Sequence, residues 1–304
     1  MFCLFVCDSR LARHIFACYA AQILGGFFRD GHGQRSAGDA MNKSLTFIGL
    51  IVASLIAGCA SGPKPPTYPA FVVSDELPDI FMAAMPGVRA KEYADDAKTR
   101  NTSKRIDLPP DWSGTTGGLP GKSLEIFVLS GKLQLADLTL TLGGYAYVPP
   151  GSFGFNMQTE DGATILYFLA EFDADALIQT PLILDSNLVD WEATDRIGVF
   201  RKELRFDPGN GSRIWLTRVE PGAQFPWQSS SIRLEGYLVS GQFQDSECVD
   251  GEPYTDVYLP GGYFRRPSES VHGGPAATAL SESIWLLRES SESTTDFDVN
   301  CTVE

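Results

Sequence analysis

The sequence predicts an all-β protein that contains two similar barrels in tandem. Most of the chain after residue 100 consists of short β-prone runs separated by Gly, Pro, Asn and Asp, a spacing typical of barrels and sandwiches. Helical periodicity is scarce there. One pattern also occurs twice: SLEIFVLSGKLQ from Ser123 returns as IRLEGYLVSGQFQ from Ile232, and GGYAYVPPGS from Gly143 returns as GGYFRRPSES from Gly261. Since this repeat is longer than a solenoid unit, it indicates a duplicated domain.

Residues 41–58 have the layout of a secretory signal. A short basic start, MNK, precedes the apolar run LTFIGLIVASLIAG, which is shorter than the ~20 residues of a membrane span. The run ends in LIAGC, which resembles the lipobox of bacterial lipoproteins and makes Cys59 the lipidated residue. An ordinary signal peptide or a single membrane helix is the alternative. A lipoprotein would be anchored in the bacterial cell envelope and face the periplasm, and Ala60 favours the outer membrane.

Two further segments flank this signal. Residues 1–40 contain three cysteines and no clean periodicity. We interpret them as the product of a start codon assigned too early, with a genuine cytoplasmic extension as the alternative. Residues 59–75 are rich in proline and predict a tether between the anchor and the folded part of the chain.

The composition limits the partners. The chain has 24 Lys and Arg residues against 38 Asp and Glu residues, and its formal net charge is −14. Such a surface repels nucleic acid and anionic lipid headgroups, so we exclude nucleic acid. We expect membrane contact through the lipid on Cys59, together with an unidentified small molecule or envelope protein as the bound partner.

The repeat divides the remaining chain into two domains, expected at residues 76–180 and 181–304. Cys248 lies in a polar insertion of the second copy and Cys301 in the C-terminal tail. Two cysteines left over in an oxidising compartment often pair, and a bridge here would pin the tail to the second domain. Two free thiols are the alternative.

The repeated residues also resemble a known family. The second copy contains LEGYLVSGQF, GGYFRRP and PSESVH, and the first contains LEIFVLSG and GGYAYVPPGS. A Glu six residues before a Gly, followed by Gly-Gly-Tyr and Pro, resembles the cupin domain, and the second copy resembles ChrR-like cupins in particular. The resemblance implies two tandem double-stranded β-helix (jelly-roll) barrels, and many cupins hold one metal ion inside such a barrel.

The resemblance further implies a ligand set of three His and one Glu, which suits a divalent transition metal. The second copy keeps Glu235 and His272, but Ser229 and Ser231 stand where the other two histidines would be. The first copy keeps only Glu125. Because a single histidine follows residue 58, no three-histidine site can form within one mature chain. We therefore expect no cofactor, with a metal at Glu235 and His272 as the degraded alternative.

Alternation along a strand extends the candidate site in the second copy. Side chains two residues apart share a face, so if Glu235 points into the barrel, Arg233 and Tyr237 do too. A buried carboxylate needs a cation, and Arg233 or Arg265 would supply one in place of a metal. A solvent-facing arginine without such a role is the alternative.

In the first copy, the same parity would turn Ser123, Glu125 and Phe127 inward. No basic residue neighbours them on that run. We interpret the first barrel as a packed scaffold and the second as the barrel with a function.

These observations favour a non-catalytic protein that binds a small molecule or a partner in the second barrel, where His272 is a ligand contact or a structural residue. The rival is a metal-dependent cupin oxygenase or isomerase that uses Glu235 and His272. A purely structural envelope protein is a third alternative. Pairing of sheet edges between two copies, as in many cupins, would give a homodimer.

Overall fold

The structure is a computed structural model that describes residues 64–116, 120–151 and 154–302. The proposed signal, Cys59 and residues 1–40 lie outside these ranges. The strands up to the end of the first repeat are β1 Val72–Val73, β2 Asp79–Ile80, β3 Arg89–Asp95, β4 Thr102–Leu108, β5 Trp112–Thr116, β6 Lys122–Gly131, β7 Leu133–Leu135, β8 Leu138–Leu140, β9 Gly144–Val148, β10 Phe155–Thr159 and β11 Ala163–Glu171.

The second repeat follows with β12 Leu182–Asp185, β13 Glu192–Ala193, β14 Val199–Phe206, β15 Arg213–Val219, β16 Ser229–Ser230, β17 Leu234–Ser240, β18 Phe243–Val249, β19 Glu252–Tyr258, β20 Gly262–Arg266, β21 Thr278–Ala279, β22 Ser283–Glu289 and β23 Thr295–Asp296. Two 3-10 turns, Ser74–Glu76 and Ser186–Leu188, are the helical elements of the described residues. None of those residues forms a helix with the length and hydropathy of a membrane span.

Each repeat folds into a barrel of two facing antiparallel sheets, as predicted. In the first barrel a seven-stranded sheet, β12-β9-β6-β11-β4-β3-β2, faces the four-stranded sheet β5-β10-β7-β8. In the second barrel a seven-stranded sheet, β1-β20-β17-β22-β15-β14-β13, faces the sheet β19-β18-β21. A small sheet formed by β16 and β23 completes the second barrel.

The two repeats exchange their first strands. β1 pairs with β20 of the second barrel, where Val73 lies opposite Gly262. β12 pairs with β9 of the first barrel, where Asp185 lies opposite Gly144. Each barrel therefore contains a strand from the other repeat, and neither seven-stranded sheet is built from one repeat alone.

The proline-rich segment is not a free tether throughout its length. The ring of Phe71 stacks on that of Tyr258 with centroids 4.5 Å apart, and the Tyr68 hydroxyl donates to Glu247. The backbone carbonyl of Pro69 accepts from Arg265. Residues 68–73, predicted as tether, are thus part of the second barrel's wall.

The first barrel is filled with apolar side chains, which agrees with a packed scaffold. Leu124, Ile126 and Val128 of β6 belong to its core. The predicted inward parity was wrong, because Phe127 packs in a different layer, between the barrels. Glu125 lies on that face as well, since residues two apart on a strand point the same way.

The two seven-stranded sheets pack against each other through an aromatic layer. Tyr93 of the first sheet stacks on Tyr263 of the second with ring centroids 4.4 Å apart, and Tyr93 also meets Tyr237 at 6.0 Å. The layer includes buried leucines from both sheets. Because this layer covers the outer faces of β6 and β17, both faces of these central strands are buried.

The C-terminal tail is fastened to the second barrel. Cys248 and Cys301 form a disulfide, so of the two alternatives for this pair the bridged one is present. β23 of the tail pairs with β16, with Ser229 opposite Asp296. The tail therefore lies along the strand that leads into the second barrel.

Candidate functional site

Strand β17 has one face inside the second barrel and one against the first barrel. Leu234 packs at the barrel interior, whereas Tyr237 belongs to the layer between the barrels. Glu235 shares the face of Tyr237, and its carboxylate accepts from Arg288 in that layer. The expectation that Glu235 points into the barrel beside His272 is therefore wrong.

The repeated Glu and Tyr make the same hydrogen bond in both copies. The Tyr145 hydroxyl donates to Oε1 of Glu125 over 2.7 Å, and the Tyr263 hydroxyl donates to Oε1 of Glu235 over 2.7 Å. Both carboxylates are buried. The residues of the repeated motif thus meet at the contact between the barrels.

Two arginines of the second repeat neutralise these carboxylates. Arg288 donates from Nε to Glu125 over 2.7 Å and from Nη1 to Glu235 over 3.3 Å. Arg205 donates from Nε to Glu125 over 3.0 Å and from Nη1 to Ser212. Two negative and two positive groups are therefore buried together, and we call this set, with Tyr145 and Tyr263, the interbarrel ion network.

The network controls the ionisation of its members. Burial alone would raise the pKa of Glu125, but the positive charges of Arg205 and Arg288 outweigh it and lower that pKa to about 2. Burial also disfavours the charged form of Arg288, yet Glu125 and Glu235 raise its pKa above the usual value. Glu125 is therefore a fixed anion of the interface and not a proton carrier.

The inside of the second barrel contains a cavity of about 90 Å³. Its wall combines aromatic and aliphatic side chains with one cluster of polar groups. The lining residues are Thr217, Val219, Phe225, Gln228, Leu234, Phe243, Asp245, Phe264, Arg266, His272, Gly273, Trp285 and Leu287.

Arg266 is the buried cation of this cavity. Its Nη2 lies 2.6 Å from Oδ2 of Asp245 and its Nε donates to Glu247 over 2.8 Å. Its guanidinium carbon lies 3.9 Å from the ring centroid of Phe264. Tyr68 donates to the second oxygen of Glu247 over 2.7 Å. Burial raises the pKa of Glu247 despite the attraction of Arg266.

His272 is a neutral hydrogen-bonding group at the cavity wall. Its Nε2 lies 3.2 Å from the amide nitrogen of Gln228, and its Nδ1 lies 3.3 Å from the backbone oxygen of Ser270. Because an amide nitrogen only donates, Nε2 accepts and the proton resides on Nδ1. Burial, and then the charge of Arg266, hold the pKa of His272 well below its usual value.

The other predicted site residues lie outside this cavity. Ser229 pairs with Asp296 of the tail, and the Ser231 hydroxyl accepts from the backbone of Thr294. Arg233 is exposed. Tyr237 lies between the barrels, as described above.

Arg265 also stays outside the cavity. It lies opposite Glu235 in the strand register, yet the cation that binds Glu235 is Arg288. The cavity cation is instead Arg266, the next residue along the strand. Of the residues singled out from the sequence as the candidate ligand site, only His272 lines the cavity.

A metal ion does not fit the residues present. Leu234 occupies the inward position of β17, and the free imidazole nitrogen of His272 already accepts from Gln228. Asp245 and Glu247 are engaged by Arg266. Among the described residues, no group of three His, Cys, Asp or Glu side chains is placed to hold a metal.

The fold and one barrel match known proteins. Residues 179–290 match the family described as the ChrR cupin-like domain. The chain has the bicupin fold. Its second barrel contains the residues that match the ChrR cupin-like domain, and its first barrel has the same architecture. No curated protein shows significant sequence similarity to the bicupin.

Several solved structures share the bicupin fold. A candidate dioxygenase from Nostoc punctiforme is 21% identical with a TM-score of 0.60, over 79% of this chain and 86% of that one. The E. coli protein Ylba is 15% identical with a TM-score of 0.59, over 76% and 96%. A variant of Bacillus subtilis oxalate decarboxylase is 12% identical with a TM-score of 0.55, over 78% and 81%. At these identities the likeness concerns the fold.

Proposed function

We propose that this bicupin is a lipid-anchored protein of the bacterial envelope that binds a small neutral molecule in its second barrel without catalysing a reaction. The wall of the cavity carries the proposal. It provides hydrogen-bonding groups from Gln228 and the Asp245–Arg266 pair beside aromatic rings, but it lacks a metal-ligand set and an activated nucleophile.

The charge and size of the cavity define the class of ligand. Arg266 is already balanced by Asp245 and Glu247, so the wall offers no free positive charge to an anion. A volume of about 90 Å³ is well below the ~300 Å³ of common small-molecule pockets, so the ligand has only a few non-hydrogen atoms. The ligand is therefore a small neutral molecule with a donor and an acceptor at one end and an apolar body.

The envelope location is supported by the sequence of residues 41–59 and by the disulfide. Bridges such as Cys248–Cys301 persist in oxidising compartments. The oxalate decarboxylase neighbour carries Mn(II) centres, and a metal-dependent enzyme remains the rival function for the bicupin.

Titration of the purified protein with isobutyramide, followed by NMR and by the fluorescence of Trp285, tests the proposal. We expect binding in the millimolar range. Binding should weaken at least about tenfold in Gln228→Leu, because the polar end of the bound isobutyramide loses a hydrogen-bond partner inside the cavity. Gln224→Leu, at an exposed site, is the control and should bind like the wild type.

Metal analysis of protein purified without chelators distinguishes the proposed binding protein from a metal-dependent enzyme. A stoichiometric transition metal that disappears in His272→Ala would favour the enzyme and contradict the proposal. Absence of isobutyramide binding, or equal binding by Gln228→Leu, would contradict it as well.

A further inference from the structure

A second cavity lies between the two barrels, apart from the one just described. It has a volume of about 570 Å³, within the range of small-molecule sites, which often occur at domain interfaces. Leu129 of the first repeat and Val239 and Ile284 of the second form part of its apolar wall. Arg105 and Lys202 also line it. We call it the interbarrel cleft.

Lys202 is a buried cation of this cleft that forms no direct salt bridge within the described residues. Only 7% of the residue is exposed. Its Nζ donates to the backbone oxygen of Ser186 over 2.9 Å and lies 4.6 Å from the ring centroid of Trp191. Among the described residues, no carboxylate oxygen lies within the 4.0 Å limit of a salt bridge to Lys202. Burial lowers the pKa of Lys202 despite the attraction of Asp190 and Asp185, because a buried ammonium without a directly bound carboxylate is unfavourable.

In the first repeat, the lysine that corresponds to Lys202 has a carboxylate as its direct partner. Strand β3 contains Lys91-Glu92 and strand β14 contains Lys202-Glu203, each just before a bulge in the pairing with the next strand. Lys91 forms an ion pair with Asp79 over 2.8 Å, its partner in the strand register. Continuing the register of β13 and β14 places Trp191 opposite Lys202. An indole has thus replaced the carboxylate.

Arg105 is the second cation that lines the cleft. It is already balanced, because Nη1 pairs with the exposed Asp75 over 2.9 Å and Nε pairs with Asp107 over 3.4 Å. Lys202 is therefore the lining cation without a salt bridge among the described residues, and the remaining lining is largely apolar.

We infer that the interbarrel cleft is a binding site for an organic monocarboxylate with an apolar body. The carboxylate takes the place of the Asp79 equivalent on Lys202, and the hydrocarbon part lies against Trp191 and the aliphatic wall. The site is separate from the second-barrel cavity and does not depend on the function proposed for it.

Calorimetric titration of the full chain with hexanoate tests this inference. We expect saturable binding to the wild type, at least about tenfold weaker binding by Lys202→Met because a charge-assisted contact is lost, and no comparable binding of the neutral analogue hexanamide. Trp191→Asp should also abolish binding, because it gives Lys202 the internal partner that Lys91 already has.

Two controls keep the outcome specific. Lys91→Met removes the equivalent, already paired lysine and should leave the affinity for hexanoate unchanged, and Gln228→Leu should do the same because it alters only the second-barrel cavity. The inference is overturned if hexanoate does not bind, if Lys91→Met and Lys202→Met weaken binding equally, or if hexanamide binds as tightly as hexanoate.

Discussion

Glu125 and Glu235 are buried anions of the contact between the barrels. Their positions in the repeat suggested remnants of a metal site, but both carboxylates accept from a tyrosine and an arginine between the barrels. Glu125 is the more strongly held, because Arg205 and Arg288 both bind it. Removing one member of a buried ion network leaves the others uncompensated, which costs far more than losing an exposed pair.

We predict that Glu125→Gln lowers the free energy of unfolding by about 3 kcal/mol at neutral pH. The pKa of Glu125 falls to about 2 on folding, so its contribution is complete above the unfolded value and is lost as the pH falls toward 2. Urea unfolding between pH 7 and pH 2 should therefore show a smaller loss of stability on acidification in the variant. Equal pH dependence in both proteins would contradict this, and Glu282→Gln, at an exposed site, is the control.

The sequence alone does not show which face of β17 points into the second barrel. Strand alternation correctly grouped Glu235 with Tyr237 but could not tell which face was inside, because the neighbouring barrel buries the other face of β17 too. A comparison of the two copies carries the missing signal. The register that pairs Leu124 with Val148 pairs Leu234 with Arg266, so an apolar core position has become a buried charge.

The two-barrel architecture could be predicted from the repeat, but the exchange of β1 and β12 between the barrels could not. Short β-prone runs and turns predicted many of the barrel strands, whereas the sequence does not show with which barrel the short strands β1 and β12 pair. Their pairing depends on edges offered by the other repeat, which local propensity does not encode. The tail is a similar case, since β23 is held by β16 and by the disulfide.

We predict that Cys301→Ser frees the tail and lowers the free energy of unfolding by about 4 kcal/mol, the entropic estimate for closing a loop of this length, because the bridged cysteines are 53 residues apart. Hydrogen exchange followed by mass spectrometry should then show faster exchange in Thr295–Asp296 and unchanged exchange in Phe155–Thr159 of the first barrel. Reduced wild-type protein should behave like the variant. Retained protection of β23 in either sample would show that strand pairing alone holds the tail.

The two barrels of the described residues form one interlocked unit. Each seven-stranded sheet contains a strand from the other repeat, an aromatic layer joins the sheets, and the interbarrel ion network links Glu125 of one barrel to Arg205 and Arg288 of the other. Unfolding either barrel would expose the apolar face of its neighbour and leave buried charges without partners.

We therefore predict that the folded chain melts as one cooperative unit. Differential scanning calorimetry should give a single transition whose calorimetric and van't Hoff enthalpies agree. Arg288→Met, which removes the only side chain that binds both Glu125 and Glu235 among the described residues, should lower the melting temperature of the whole transition without splitting it, because the exchanged strands and the aromatic layer still couple the barrels. Two separate transitions in the wild type would show that the barrels are independent domains and that the strand exchange contributes little to their coupling.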